Sequence, residues 1–346
     1  MIVSLRSRNI KMKKIKLKKI KIIILSIICL LSLFGCKEKN SIDNNETIEI
    51  ENSLKEYDYS FNPHVISEEY LSVYGNDIKD IFFGFCDVLL AKEKQFRCES
   101  NERFYQLLSI SNSCFPLANQ IIDKDKTYVS DGVCYLVYNY PDDILDVKID
   151  EFIQKVTDVI KEAVRYETLD YIKAIELYSA VARKNSYDYD YTLDDALKIR
   201  TYRPIMENIG ICQEIAKEYI YYLLQVGVDA ISCSAINNDK SDAHEWVLIK
   251  LDDRYYHVDP TYALNYPDSL FFFAMDDRQR EYYGDFDMNQ FTYADIDILK
   301  HDDFKADDRR FMKLWLAKSY NIDYINEIIT LIDNNTLKEY EYHFDE

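Results

Sequence analysis

Glycine and proline are scarce in this chain, seven and six among 346 residues. That excludes collagen-like and low-complexity sequences, which are rich in those residues. No CxxC pair is present to hold a structural zinc. The acid-rich stretch DIDILKHDDFKADDRR lacks the glycine and closing glutamate of a calcium loop, so no metal site is read and no cofactor is called. No similarity recurs at 20–50 residues, which excludes solenoids. The apolar run IIILSIICLLSLFG has 14 residues, short of the ~20 a spanning helix needs. Basic charge is sparse outside the N-terminus. Residues 1–35 hold nine Lys/Arg and no acid, and the remainder carries 33 basic against 61 acidic residues, a formal −28. So acidic a body repels nucleic acid and anionic lipid, so no nucleic-acid partner is expected. Thirty tyrosines and 48% apolar residues do suffice for a core, in one large domain or two small ones.

The basic start followed by a short apolar run reads as a secretory signal. Its end, LSLFGC, resembles the signal of bacterial lipoproteins: Leu33 and Gly35 fit, while Phe34 is bulkier than usual. The resemblance implies cleavage after Gly35, a lipid on Cys36, and a body held outside the cytoplasm on a bacterial membrane, in the cell envelope. An uncleaved anchor is the alternative, and Met12 would serve equally as the start. Residues 1–35 are thus expected to be signal. Residues 36–60, polar and without period, are expected to be a flexible tether.

With Cys29 and Cys36 set aside, the body keeps Cys86, Cys98, Cys114, Cys134, Cys212 and Cys233. An extracytoplasmic setting permits disulfides. If Cys212 is free, the first four allow up to two bridges, and Cys233 reads as a small buried apolar residue.

Along the body, periodicity predicts helices over 66–95, 151–164 and 170–184, and a strand over 132–140. Residues 61–165 read as an N-terminal α+β region without a recognisable motif, and 166–346 as the domain that carries the chemistry. There, GICQEIAKEYIYYLLQVGV repeats Ile215, Ala216, Tyr219, Ile220, Leu223 and Leu224 on one helical face, with Gly227 as the stop. Strands follow over 228–236, 244–251 and 254–260, the last ended by Pro260.

Cys212 sits at the start of its helix, where free N–H groups and the helix dipole favour a thiolate. If Asp252 and Asp253 make a two-residue turn, Leu251 faces Arg254. Trp246 then faces Asp259, and His244 faces Thr261. His244, Trp246, His257 and Asp259 would share one face, with His244 and Asp259 diagonal neighbours roughly 7–8 Å apart. A thiol facing a histidine that a carboxylate orients is the nucleophile–base–orienter arrangement.

The segments GICQEIA, AHEWVLIKL and RYYHVDPTY, in that order, resemble the transglutaminase-like domain, whose pattern runs G-x-C, H-x-W, then D-P-T after an aromatic. KNSYDYDYT matches the family's Tyr-Asp lead-in, and the close match covers about residues 184–262. Glu214 departs from the pattern, standing where many members carry a small residue; its charge would tune the thiolate or the substrate. The resemblance implies an α+β fold with a papain-like, transglutaminase-like core, the nucleophile helix packed on an antiparallel sheet. It also implies acyl transfer from a peptide or isopeptide amide through a thioester. Cys212 would be nucleophile, His244 general base and acid, and Asp259 its orienter. The Cys212 N–H and a second donor, Tyr202 or Gln213, would hold the oxyanion. Trp246 and His257 would flank the site, His257 at its rim, while His64, His301 and His343 look unpartnered. Hydrolysis of a protein or peptide, cell-wall peptide among the candidates, is the favoured reading. A cross-linking transglutaminase and a silent surface-binding module are the alternatives.

Overall fold

Gly75 divides the first expected helix in two. The computed structural model describes residues 54–346 except 193–199, 241–242 and 297–298, so the signal, its cleavage point and Cys36 lie outside the described residues. Helix α1 spans Glu68–Tyr74, capped by the Ser67 hydroxyl, and α2 spans Asp77–Leu90. Gly75 between them has φ +89°, and a Cβ there would lie 2.8 Å from the Asp77 carboxylate. Next come β1 (Gln95–Arg97), α3 (Asn101–Cys114), α4 (Leu117–Ile121), β2 (Tyr128–Ser130) and β3 (Val133–Tyr135). The three short strands form an antiparallel sheet in the order β1-β3-β2, so the strand expected over 132–140 is much shorter than its apolar run.

Helix α5 (Asp142–Ala163) buries Leu145, Ile149, Phe152, Val156 and Ile160, spaced three and four apart. After α6 (Asp170–Lys184), the two-residue strands β4 (Ser186–Tyr187) and β5 (Ile209–Gly210) pair in parallel, with α7 (Tyr202–Glu207) between them. They deliver the chain into α8 (Cys212–Gln225), in which every residue but Gln213 is buried. Gly227, at φ +83°, ends it, and the Val228 N–H returns to the Leu223 carbonyl at 2.9 Å.

Strands β6 (Ala230–Ile236), β7 (Ala243–Leu251) and β8 (Arg254–Val258) follow, then α9 (Pro260–Ala263), α10 (Asp277–Gly284) and β9 (Thr292–Tyr293). They build an antiparallel sheet ordered β8-β7-β6-β9, against which α8 packs. A meander of β10 (Ala317–Asp323), β11 (Ile328–Asp333) and β12 (Glu339–His343) closes the chain. The fold is α+β, with the helix that begins at Cys212 packed on an antiparallel sheet.

Three expectations change. The tether does not extend to residue 60. Tyr57 N–H donates to the Arg165 carbonyl at 2.9 Å, Glu167 N–H to Lys55 at 2.8 Å, and the buried Tyr59 hydroxyl to Gln225 Oε1 at 2.6 Å. The boundary at 165/166 also divides no core, because Phe152 of α5 packs on Tyr202 and Tyr221 at 5.9 and 5.8 Å between ring centroids. Nor do Cys86, Cys98, Cys114 and Cys134 form bridges: all six described cysteines are free and buried. Burial pushes the Cys114 thiol up to about 12, so these behave as core side chains.

The β7–β8 hairpin has the anticipated register, Leu251 opposite Arg254 and Val247 opposite Val258. Asp252 and Asp253 both adopt positive φ, 50° and 60°, as a type I′ turn requires. A side chain there is strained by about 1 kcal/mol. Asp253, which is fully exposed, should therefore tolerate glycine with a gain of about that size. Urea denaturation of Asp253→Gly should give a higher midpoint at unchanged slope; a lower midpoint would contradict the strain.

Candidate functional site

The structure brings Cys212 and His244 together at one cleft, with Asp259 hydrogen-bonded behind the histidine. Cys212 is the first residue of α8, 8% exposed. It stands beside the His244 ring, and its influence helps to raise that imidazole. His244 Nε2 donates to Asp259 Oδ2 at 2.7 Å, which leaves Nδ1 for the sulfur. Tyr262 stacks on the imidazole at 4.7 Å and fixes its plane. Asp259 does not continue β8. It is the N-cap of α9: Oδ1 accepts from the Thr261 and Tyr262 N–H groups at 3.1 and 3.0 Å, and Pro260 stands at the first helical position. The strand pairs expected for Asp259 and Thr261 therefore do not form, and the turn of α9 aims the carboxylate at His244 instead.

One residue that sequence reading missed completes the line. Arg280 of α10 is fully buried, and its NH1 donates to Asp259 Oδ2 at 2.8 Å. Its guanidinium lies 4.3 Å from the Trp246 ring centroid, 4.9 Å from Phe286 and 5.1 Å from Tyr262, an aromatic box suited to a cation. Burial alone would raise the Asp259 carboxyl, yet His244 and Arg280 hold it below the usual range. Burial disfavours protonated His244, but the charge and hydrogen bond of Asp259, and then Cys212, push it up to about 9. Cys212, His244, Asp259 and Arg280 balance to zero net charge when the thiolate and imidazolium are both formed.

Trp246 flanks the site, fully buried, and its Nε1–H donates to His257 Nδ1 at 2.9 Å. His257 is not at a rim: it is 0% exposed and its Nε2 bonds Asp277 Oδ1 at 2.9 Å. Burial holds it below its ordinary value, and with no exposure to the cleft it cannot compete as the base. His301 is partnered too, taking the Tyr293 hydroxyl at 2.7 Å and reaching Asp277 Oδ2 at 3.5 Å; His64 pairs with Asp87. Tyr202 stacks on Phe152 and is not among the residues lining the cleft at Cys212. Gln213 does line it. Its Oε1 is enclosed without a partner, and its Nε2 makes no hydrogen bond among the described residues. Glu214 is engaged at the helix start. Its carboxylate takes the Ile211 N–H at 3.1 Å, the Arg200 N–H at 3.2 Å and Arg203 at 2.7 Å, a structural lock on the helix start. Gly210 leaves room for it, since a Cβ there would meet the Glu214 side chain at 3.3 Å.

The cleft beside Cys212 has a volume of about 520 Å³. The N–H groups of Cys212 and Gln213 have no hydrogen-bond partner among the described residues, so both are available to an oxyanion. Among the described residues no group of three or more His, Cys, Asp or Glu is placed to hold a metal ion. The arrangement suits attack by sulfur on a carbonyl with proton transfer through imidazole.

No protein-family model matches the chain, and no curated protein does. Two solved structures are similar at 13% identity. One is a TGase, with TM-score 0.29 over 36% of this chain and 34% of that one. The other is a protein from Cytophaga hutchinsonii described by inference as a cysteine protease, with TM-score 0.26 over 37% of this chain and 50% of that one. The chain thus spans about a third and a half of their lengths, and the site stands on its own geometry.

The raised His244 value links the site to stability. It lies above the ~6.5 of an unfolded histidine, so the contribution is full below pH ~6.5 and is lost as pH rises through about 9. The stability gap between wild type and His244→Gln should narrow by roughly 3 kcal/mol between pH ~6.5 and ~9.5 in urea denaturation. A gap that stays constant would show that His244 is not held protonated.

Proposed function

We propose that the chain is a cysteine-dependent amide hydrolase of transglutaminase-like architecture, acting on peptide or isopeptide bonds. The observation that supports it above all is the line Cys212–His244–Asp259, anchored by Arg280 and opening on a cleft. The Cys212 thiolate attacks the amide carbonyl, and the oxyanion is held by the free N–H groups at the head of α8, with Gln213 Nε2 in reach as a further donor. Imidazolium His244 gives its proton to the departing amine, leaving a thioester. Neutral His244 then takes a proton from water, whose oxygen attacks the thioester; the acid departs and the thiolate–imidazolium pair returns. Asp259 holds the ring throughout. Water is the proposed acceptor because it is always present, whereas an amine must be bound.

Alkylation of Cys212 by iodoacetamide, read by peptide mass spectrometry, should be fast in the wild type and lost in His244→Ala. Equal labelling in that variant would reduce Cys212 to an ordinary thiol and the chain to a binding module. Activity should follow a bell-shaped pH profile whose alkaline limb falls as His244 deprotonates near pH 9. With a glutamine peptide and a fluorescent amine, free acid should accumulate without incorporation; incorporation would move the acceptor from water to amine.

The same reading places the body on the outer side of a bacterial membrane through lipid on Cys36, with envelope peptides as substrates. Membrane fractions should then retain the wild type and release Cys36→Ser. Retention of that variant would favour an uncleaved anchor.

A further inference from the structure

Residues of three adjacent strands line the cleft that holds Cys212. Ser234 of β6 is in register with Glu245 of β7 on one side and Thr292 of β9 on the other. The three therefore share one face of the sheet, and all three line the cleft that holds Cys212 and His244. Glu245 is 2% exposed, yet only one of its oxygens is engaged: Oε1 pairs with Lys217 of α8, and Oε2 has no hydrogen bond among the described residues. Lys217 is itself shared, reaching Asp295 Oδ2 at 3.1 Å. With both carboxylates ionised, Lys217, Glu245 and Asp295 sum to one negative charge; burial pushes the Glu245 carboxyl up to about 7, so a cation seated on its second oxygen favours the ionised form. Among the described residues that line the cleft there is no Lys or Arg. The Ser234 and Thr292 hydroxyls make no hydrogen bond among the described residues either.

We propose that this row is a recognition subsite for a primary ammonium group that the substrate carries beside its scissile carbonyl, seated on Glu245 with Ser234 and Thr292 as further acceptors. The proposal rests on Cys212 being the nucleophile. An ammonium neutralises the excess charge and supplies the three donors that the row lacks. A neutral side chain would leave the charge uncompensated, and an anionic one would be repelled. The bound group is not the acyl acceptor, because a protonated amine has no lone pair to attack a thioester. It selects amide substrates bearing a lysine-like or other diamino side chain.

The test uses the full-length chain and three thiol reagents matched in size: the ethylammonium, hydroxyethyl and sulfonatoethyl methanethiosulfonates. Rates of modification at Cys212 are read by peptide mass spectrometry and normalised to those of free cysteine. In the wild type the ammonium reagent should be preferred over the hydroxyethyl reagent by roughly tenfold, the scale of a hydrogen bond to a charged group, and the sulfonate should be slowest. Glu245→Gln should abolish the ammonium preference without slowing the hydroxyethyl reagent. The double variant Lys217→Met/Glu245→Gln should do the same without leaving an unpaired buried lysine. Repeating the comparison at 0.5 M salt removes attraction to the diffuse acidic surface, and the preference should survive. A wild type that does not discriminate, or a preference unchanged in both variants, overturns the proposal. Failure of the triad reading gives a different pattern: His244→Ala would react as fast as wild type with all three reagents, whatever their order.

Discussion

A single buried carboxylate organises this molecule's centre. Asp259 is fully enclosed and uses both oxygens: Oδ1 caps α9, while Oδ2 is divided between His244 and Arg280. A buried anion is costly unless paired and hydrogen-bonded, and here four donors from β7, α9 and α10 converge on it. Each donor is tied to something else. His244 is stacked on Tyr262, Arg280 sits in the aromatic box, and the α9 amides follow from Pro260. The carboxylate thus joins the sheet, the short helix and α10 into one rigid frame, and the thiol of α8 is presented to that frame.

Charge balance follows. With Arg280 present, Asp259 is neutralised whether or not His244 carries a proton. In the proposed reaction the imidazole would then cycle between acid and base without leaving an uncompensated charge in the core at either stage. A dyad of His244 and Asp259 alone would trade a neutral pair for a lone anion each time the proton left. The aromatic box makes a lysine a poor substitute, since a flat guanidinium can lie on Trp246 while directing one nitrogen at Asp259.

What was legible in the sequence was what local rules govern. The stripe on α8, the Gly227 stop, the Asp252–Asp253 turn and the register up to Val258 all follow from periodicity and turn chemistry. The order Cys212, His244, Asp259 was legible from the family pattern, but the pairing expected to join His244 and Asp259 was not the one that forms: the register stops at Val258 and the turn of α9 aims the carboxylate. The misses were long-range. Arg280 lies 21 residues beyond Asp259 in DDRQREYYG, and no spacing marks it. Glu214 looked like a charge near the sulfur, but its partners Arg200 and Arg203 come from α7 and the segment before it. His257 shares the expected face with His244, but α10 covers it, and coverage by a distant element has no local signature. The apolar content of residues 132–140 predicted a longer strand than the Val133–Tyr135 that forms.

The head of α8 has one last consequence. Its N-cap is Ile211, which carries no oxygen to satisfy the first-turn amides, and Glu214 turns back to the Ile211 N–H rather than serving them. The molecule therefore keeps a helix that lacks its usual finish, and in the proposed reaction an acyl group docking at Cys212 would supply it. Occupancy should tighten the scaffold itself, so that this chain is at its most robust while at work and at its most vulnerable to unravelling when idle.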